Sequence, residues 1–199
     1  GEAEFGIDVA YATADAEDRA VDVRIGKNIR WRVGGQVEVA GFQLGGFWKS
    51  FTEYAADTTQ TEDRVNIGFN AEYETGPWTT GVSYRRATAD EMSAGTATVK
   101  GTKTGEDKAT QWNIGVTYEL NDDMTLKAGY ETQKWEDDAN LATDENDAKS
   151  LDLKFEWDVW DGLEFDVGYQ NFRYTHHDGL ATSAKRSGHA LTVFTEVTF

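Results

Sequence analysis

Residues 111–120 read QWNIGVTYEL, and their apolar side chains fall on every second position. Trp112, Ile114, Val116, Tyr118 and Leu120 share one side, while Asn113, Gly115, Thr117 and Glu119 share the other. A step of two is the periodicity of an extended strand, because successive side chains of a strand point to opposite faces. Helical spacing explains none of it.

The same step recurs on both sides of this segment. After the polar turn Asn121–Asp123, Met124, Leu126, Ala128 and Tyr130 mark a return strand. Residues 150–160 set Leu151, Leu153, Phe155, Trp157 and Val159 against Asp152, Lys154, Glu156 and Asp158. Residues 64–75 set Val65, Ile67, Phe69, Ala71 and Tyr73 against Asn66, Gly68, Asn70 and Glu72. Shorter runs lie at Phe5–Tyr11, Ile29–Val39, Phe42–Trp48, Trp78–Tyr84, Leu163–Tyr169 and Leu191–Phe199. The pattern predicts ten strands of about 10–13 residues, a length that spans a membrane when tilted, and an even number puts both ends of the chain on the same side of that membrane.

Connection lengths alternate as well. Short turns are expected at Gly41, Gly76-Pro77, Asn121–Asp123 and Asp161-Gly162, and long polar loops at 56–63, 91–107, 138–147 and 177–186. Membrane-spanning barrels sort their connections this way, whereas a soluble sandwich has no physical reason to do so.

Composition narrows the classes. At 199 residues a single domain, 1–199, is expected. There is no cysteine, which excludes a disulfide framework and thiolate metal sites. The net charge of -17 removes the basic footprint of a nucleic-acid binder. No apolar run reaches the roughly 18 residues of a spanning helix, but spanning strands expose only alternate residues to lipid and give a weak signal. No basic, then apolar, leader opens the chain, so an export signal is expected to be gone already.

Aromatics fall in two bands. Phe42, Tyr73, Trp78, Tyr118, Trp157 and Phe199 lie toward the short turns, and Trp31, Trp48, Tyr84, Trp112 and Tyr130 toward the long loops. Aromatic rings favour the lipid–water boundary, so two belts are what a membrane barrel requires. The fold class predicted is all-β, an antiparallel transmembrane β-barrel of about ten strands.

Two resemblances sharpen this. The terminal stretch LTVFTEVTF, with Leu191, Val193, Val197 and Phe199 on one face, resembles the C-terminal signature of bacterial outer-membrane barrels. The stretches NAEYETGPWTTGVSYRRA, NIGVTYELNDDMTLKAGYE and GLEFDVGYQNFRY resemble Gram-negative porins, especially the alphaproteobacterial kind, over most of residues 28–199. The resemblance implies a bacterial outer-membrane location, passive diffusion of small hydrophilic solutes or ions, a homotrimer, and contact with outer-membrane lipid and lipopolysaccharide. General porins have about 16 strands, and a barrel of about eight fills with side chains. The chain is therefore either the C-terminal part of a longer porin or a small barrel.

If the apolar set faces lipid, the opposite set lines the interior. Candidate pore-lining residues are Arg30, Arg32, Lys49, Glu72, Arg85, Glu119, Lys127, Glu131, Lys154 and Glu156. Arg30, Arg32, Lys49 and Arg85 are the candidates for a basic wall, while acids dominate from Glu119 to Asp166. Opposed charges order water and select solutes in a wide lumen, and pair across a narrow one. The competing expectation is thus a non-conducting barrel with a structural role or one in binding a partner or lipopolysaccharide.

No enzyme is expected. His176, His177 and Asp178 sit together at an outer strand end, but no facing acid pair accompanies them. The acidic run EDDANLATDEND at 136–147 offers carboxylates to divalent cations, yet lacks the glycine and terminal glutamate of a calcium loop. A solvated loop, no cofactor and no nucleic-acid partner are expected.

Overall fold

The computed structural model describes residues 3–18, 23–54, 61–92, 103–137, 144–160, 162–177 and 183–197. They form ten strands: β1 (Ala3–Asp18), β2 (Val23–Val39), β3 (Phe42–Tyr54), β4 (Thr61–Thr75), β5 (Trp78–Met92), β6 (Lys103–Asn121), β7 (Met124–Asp137), β8 (Asp144–Trp160), β9 (Leu163–His177) and β10 (Ser183–Val197). Each pairs antiparallel with its neighbours in the chain, in the order β1-β2-β3-β4-β5-β6-β7-β8-β9-β10. The sheet is the wall of an antiparallel transmembrane β-barrel, as the alternation predicts.

Its large apolar side chains lie open, unlike those of a water-soluble protein. Ile114 is 59% exposed and Leu153 45%, whereas Asp166 is 7% exposed. Among the described residues only Gly34 and Asp166 are fully buried. An apolar face left open costs nothing in hydrocarbon, and it would be a liability in water. Cross-strand registers make that face continuous: Ile114 lies opposite Val82 and Tyr130, and Leu153 opposite Ala128 and Tyr169.

The belts pair ring to ring. Toward the short turns, Phe42 stacks on Tyr73 at 4.2 Å and Trp78 meets Tyr118 at 4.3 Å between centroids. On the other side Tyr84 meets Trp112 at 4.5 Å and Tyr11 meets Trp31 at 4.4 Å. Such pairs add about 0.5–1.5 kcal/mol beyond burial. Residues 198–199, with the terminal phenylalanine of the near belt, lie outside the described residues.

The short turns at Gly41, Gly76-Pro77 and Asn121–Asp123 stand where the sequence places them, and Asp161 of the fourth lies outside the described residues. Ala40 and Gly41 have φ of 51° and 80°, as the two-residue hairpin turn that matches strand twist demands. Gly41 has a second constraint: a Cβ there would sit 2.6 Å from the Glu74 carbonyl oxygen. Each of three turns is tied to the next strand along. The Glu74, Glu119 and Asp158 amides donate to the carbonyls of Gly41, Pro77 and Asp123 at 2.8, 2.9 and 2.8 Å.

The other end differs from expectation. Strands run 13 to 19 residues, not about 10–13, and the excess lies on the long-loop side. The expected loops 56–63, 91–107, 138–147 and 177–186 shrink accordingly, because β4 begins at Thr61, β5 reaches Met92, β6 begins at Lys103, β8 at Asp144 and β10 at Ser183. Backbone pairing continues past the lipid, where polar residues face both sides and apolar alternation is no longer required. What remains of those loops lies outside the described residues.

Among the described residues no ladder joins β10 back to β1. The edge strands carry the most open apolar side chains of the wall, with Phe5 at 82%, Ile7 at 75% and Leu191 at 70%.

Replacing Ile114 by arginine should cost about 2–4 kcal/mol, since it sets a cation in mid-membrane lipid. The same change at neighbouring Asn113 should cost far less. Urea unfolding of the protein in phospholipid vesicles measures both; equal costs would mean that the two faces are misassigned.

Candidate functional site

The polar face gathers its charge in two groups. On the first, Arg32 and Lys49 are direct cross-strand partners on β2 and β3. The Arg32 Nε lies 2.9 Å from the Asp8 carboxylate, so this cation is neutralised within the wall. Arg30 lies 5.7 Å over the Phe51 ring, and the Lys49 ammonium 4.9 Å from the centre of Phe47. Arg85 stands on β5 opposite Gly68 and Gln111, two strands from Phe47. Of the four residues expected to form a basic wall, Arg30, Arg32 and Lys49 are brought together, and Arg85 is set apart by the Asn66–Gly68 stretch of β4.

Glycine makes this wall flat. A Cβ at Gly34 would lie 2.5 Å from the Asp8 carboxylate, and one at Gly68 2.5 Å from the Phe47 ring. Both side chains lean over the neighbouring strand where a side chain is missing, which keeps them out of the interior.

The second group spans β7 to β9. Lys127 and Lys154 are register partners. Glu156 bridges them, 2.6 Å from the Lys127 ammonium and 2.7 Å from that of Lys154. Lys154 reaches on to Asp166 at 2.7 Å. A desolvated carboxylate needs such partners; the other oxygen of Asp166 is buried and has none among the described residues. Glu131 accepts hydrogen bonds from the side-chain amides of Gln111, at 3.1 Å, and of Gln133. Glu72 lies opposite Gly81. Glu119 lies opposite Thr125, away from the network.

Between the groups, Gly81, Gly115 and Gly129 are mutual register partners across β5, β6 and β7. They form a floor of bare backbone to a trough of about 490 Å³, whose sides include Asn70, Ser83, Asn113, Lys127, Asp152 and Lys154. Counting charges alone missed the uncharged half of this face. Asn113, Gln111 and Gln133 stand at the same parity as the acids, and parity was the signal that could have found them. Phe47 and Phe51 were missed because apolar residues at polar parity break the alternation.

The histidines do not make a site. His176 turns inward, with Nδ1 2.5 Å from the Asn146 side-chain oxygen, to which the Tyr174 hydroxyl also donates at 2.7 Å. His177 belongs to the other face, opposite Glu145 and Ser183. Asp178 lies outside the described residues, as do residues 138–143 of the acidic run. Among the described residues no group of histidines and carboxylates is placed to hold a metal ion.

The family model for Gram-negative porins matches residues 1–138. That span takes in residues ahead of 28 and stops short of the last strands, so it overlaps the stretches read from sequence only in part. No curated protein matches the chain. Among solved structures, OmpT, an outer membrane protein of Vibrio cholerae, is similar at a TM-score of 0.62 and 12% identity, over 95% of this chain and 60% of that one. The ferric yersiniabactin uptake receptor FyuA of Yersinia pestis is matched at a TM-score of 0.47 and 8% identity, over 97% of this chain and 38% of that one. The chain thus spans 60% of the length of the Vibrio protein.

Replacing Lys154 by methionine strands the Asp166 carboxylate, and should lower the unfolding free energy by about 1–3 kcal/mol. Adding Asp166→Leu should restore most of the loss. A double-mutant cycle of urea midpoints in vesicles checks this; additive losses would mean that the pair is not coupled.

Proposed function

Because this chain belongs to the Gram-negative porin family, we propose that its wall lines a water-filled channel for passive diffusion of small hydrophilic solutes and ions across the bacterial outer membrane. The observation that carries this is the division of the wall into two faces: large apolar side chains such as Ile114 and Leu153 lie open on one, and charged and amide side chains pair with one another on the other.

The ion pairs support an open interior rather than a plugged one. Asp8–Arg32, Lys127–Glu156, Lys154–Glu156 and Lys154–Asp166 each join the same or adjacent strands, so they run along the wall and not across it. The unpartnered oxygen of Asp166 calls for water beside it. No catalytic step and no cofactor enter this proposal.

The edges of β1 and β10 bear on the size of the channel. In lipid every backbone N–H and C=O must find a partner, so neither edge can stay open. β1 and β10 therefore pair either with each other or with further strands, whose number antiparallel pairing on both sides makes even. The intact mass of the native chain separates the two: 22.1 kDa requires β10 to pair with β1 directly, and a larger mass favours further strands.

Residues 1–199 act as one membrane domain in this proposal. A homotrimer is proposed on the family's account; Gly35 and Gly46, register partners on the lipid side, flatten one place where a subunit could rest.

In a planar bilayer the protein should give stepwise conductance, and Gly129→Trp should reduce the step, since open space lies above that backbone. A barrel without steps would instead be the non-conducting kind. With Asp8, Asp152, Asp158, Glu164 and Asp166, which share the inner parity, added to the pore-lining candidates, acids outnumber bases on the inner face, so the reversal potential in a salt gradient should report a mild cation preference; anion preference would remove that part of the proposal.

A further inference from the structure

Just beyond the apolar band, one rung of the outer face reads Tyr84, Trp112, Thr132, Lys149, Arg173 and Ser187 across β5 to β10. Lys149 and Arg173 are direct cross-strand partners. Two cations facing each other at about 5 Å between Cα atoms repel, and such a pair destabilises a sheet unless an anion lies between them. Both side chains are exposed, and among the described residues neither is in an ion pair. By contrast Lys134, one rung further out, is neutralised by Glu136 and Glu145 at 2.7 and 3.0 Å.

The height of this rung identifies the anion. Along β8 the outward residues run Trp157, Phe155, Leu153, Leu151 and then Lys149. Along β9 they run Phe165, Val167, Tyr169, Asn171 and then Arg173. On β8 and β9 the switch from apolar to cationic falls at the strand end that carries the long-loop aromatic belt, the belt that sits among lipid headgroups. Trp157 and Lys149 are about 26 Å apart along the strand at roughly 3.3 Å per residue, which a strand tilted by about 35–45° converts into roughly 20 Å of height, most of an apolar band about 25 Å tall.

We propose that Lys149 and Arg173 bind the phosphate of a membrane lipid in the leaflet on the long-loop side, with the Thr132 and Ser187 hydroxyls on either flank as further donors. Arginine offers a planar fork to phosphate oxygens and lysine a point charge, so the pair takes one phosphate from two sides. The overall charge of -17 makes the signal specific, because generic electrostatics drive this protein away from an anionic surface.

The full chain is folded into phosphatidylcholine vesicles, with and without a tenth of phosphatidic acid, and unfolded in urea. Phosphatidic acid should raise the midpoint of the unaltered protein. It should not do so for Lys149→Gln or Arg173→Gln. Lys149→Glu should raise the midpoint in pure phosphatidylcholine, by turning repulsion into an ion pair, and abolish the response to phosphatidic acid. Native mass spectra should show phosphatidic acid retained by the unaltered protein and lost from all three variants. An unchanged midpoint in the unaltered protein, or an equal response in the variants, overturns the proposal. So does the same rise with inorganic phosphate added to phosphatidylcholine vesicles, since the anion would then be free phosphate and not lipid. None of these readouts depends on conductance.

Discussion

The whole structure depends on pairing every backbone amide and carbonyl without water. In hydrocarbon an unpaired group costs several kcal/mol, and an extended chain finds partners only in another strand. Everything else is fitted around the ladder. Apolar residues face outward because lipid accepts them, polar residues face inward because alternation leaves them no other direction, and turns stay short on one side because pairing resumes at once. Side chains tune this arrangement; they do not create it.

That constraint explains what could be read from the chain and what could not. Ile114 beside Asn113, or Leu153 beside Lys154, announces both a strand and its facing, because lipid enforces alternation there. Gly41 and Gly76-Pro77 announce turns, because few residues accept those backbone angles. The outer ends were illegible for the same reason: above the lipid the ladder persists through stretches such as Ser183–Ala190, where no apolar rule marks the residues. The inner charges were legible as a set but not as a network. Nothing in one dimension says that Glu156 lies between Lys127 and Lys154, or that Arg32 is already taken by Asp8. Those facts depend on register between strands, and register is a property of pairs.

The two faces divide their charge differently. Inside, cations and carboxylates interleave, so a passing solute meets local fields along a hydrated wall. Outside, charge begins abruptly at the end of the apolar band. Beyond it Lys103, Glu106, Lys108, Lys134, Glu136 and Glu145 pair with one another or with Asp90. Lys149 and Arg173 differ from these in facing each other directly across two strands, where Lys134 faces carboxylates.

The order of the strands has a consequence for how such a wall changes size. Every strand pairs only with the strands before and after it, and three of the short turns are fastened to the next hairpin by a single backbone bond. The hairpin is therefore a self-contained tile. A gene duplication that adds one, or a deletion that removes one, changes the circumference by two strands and leaves every other register intact. Bore can drift across lineages while the facing of each residue is inherited unchanged.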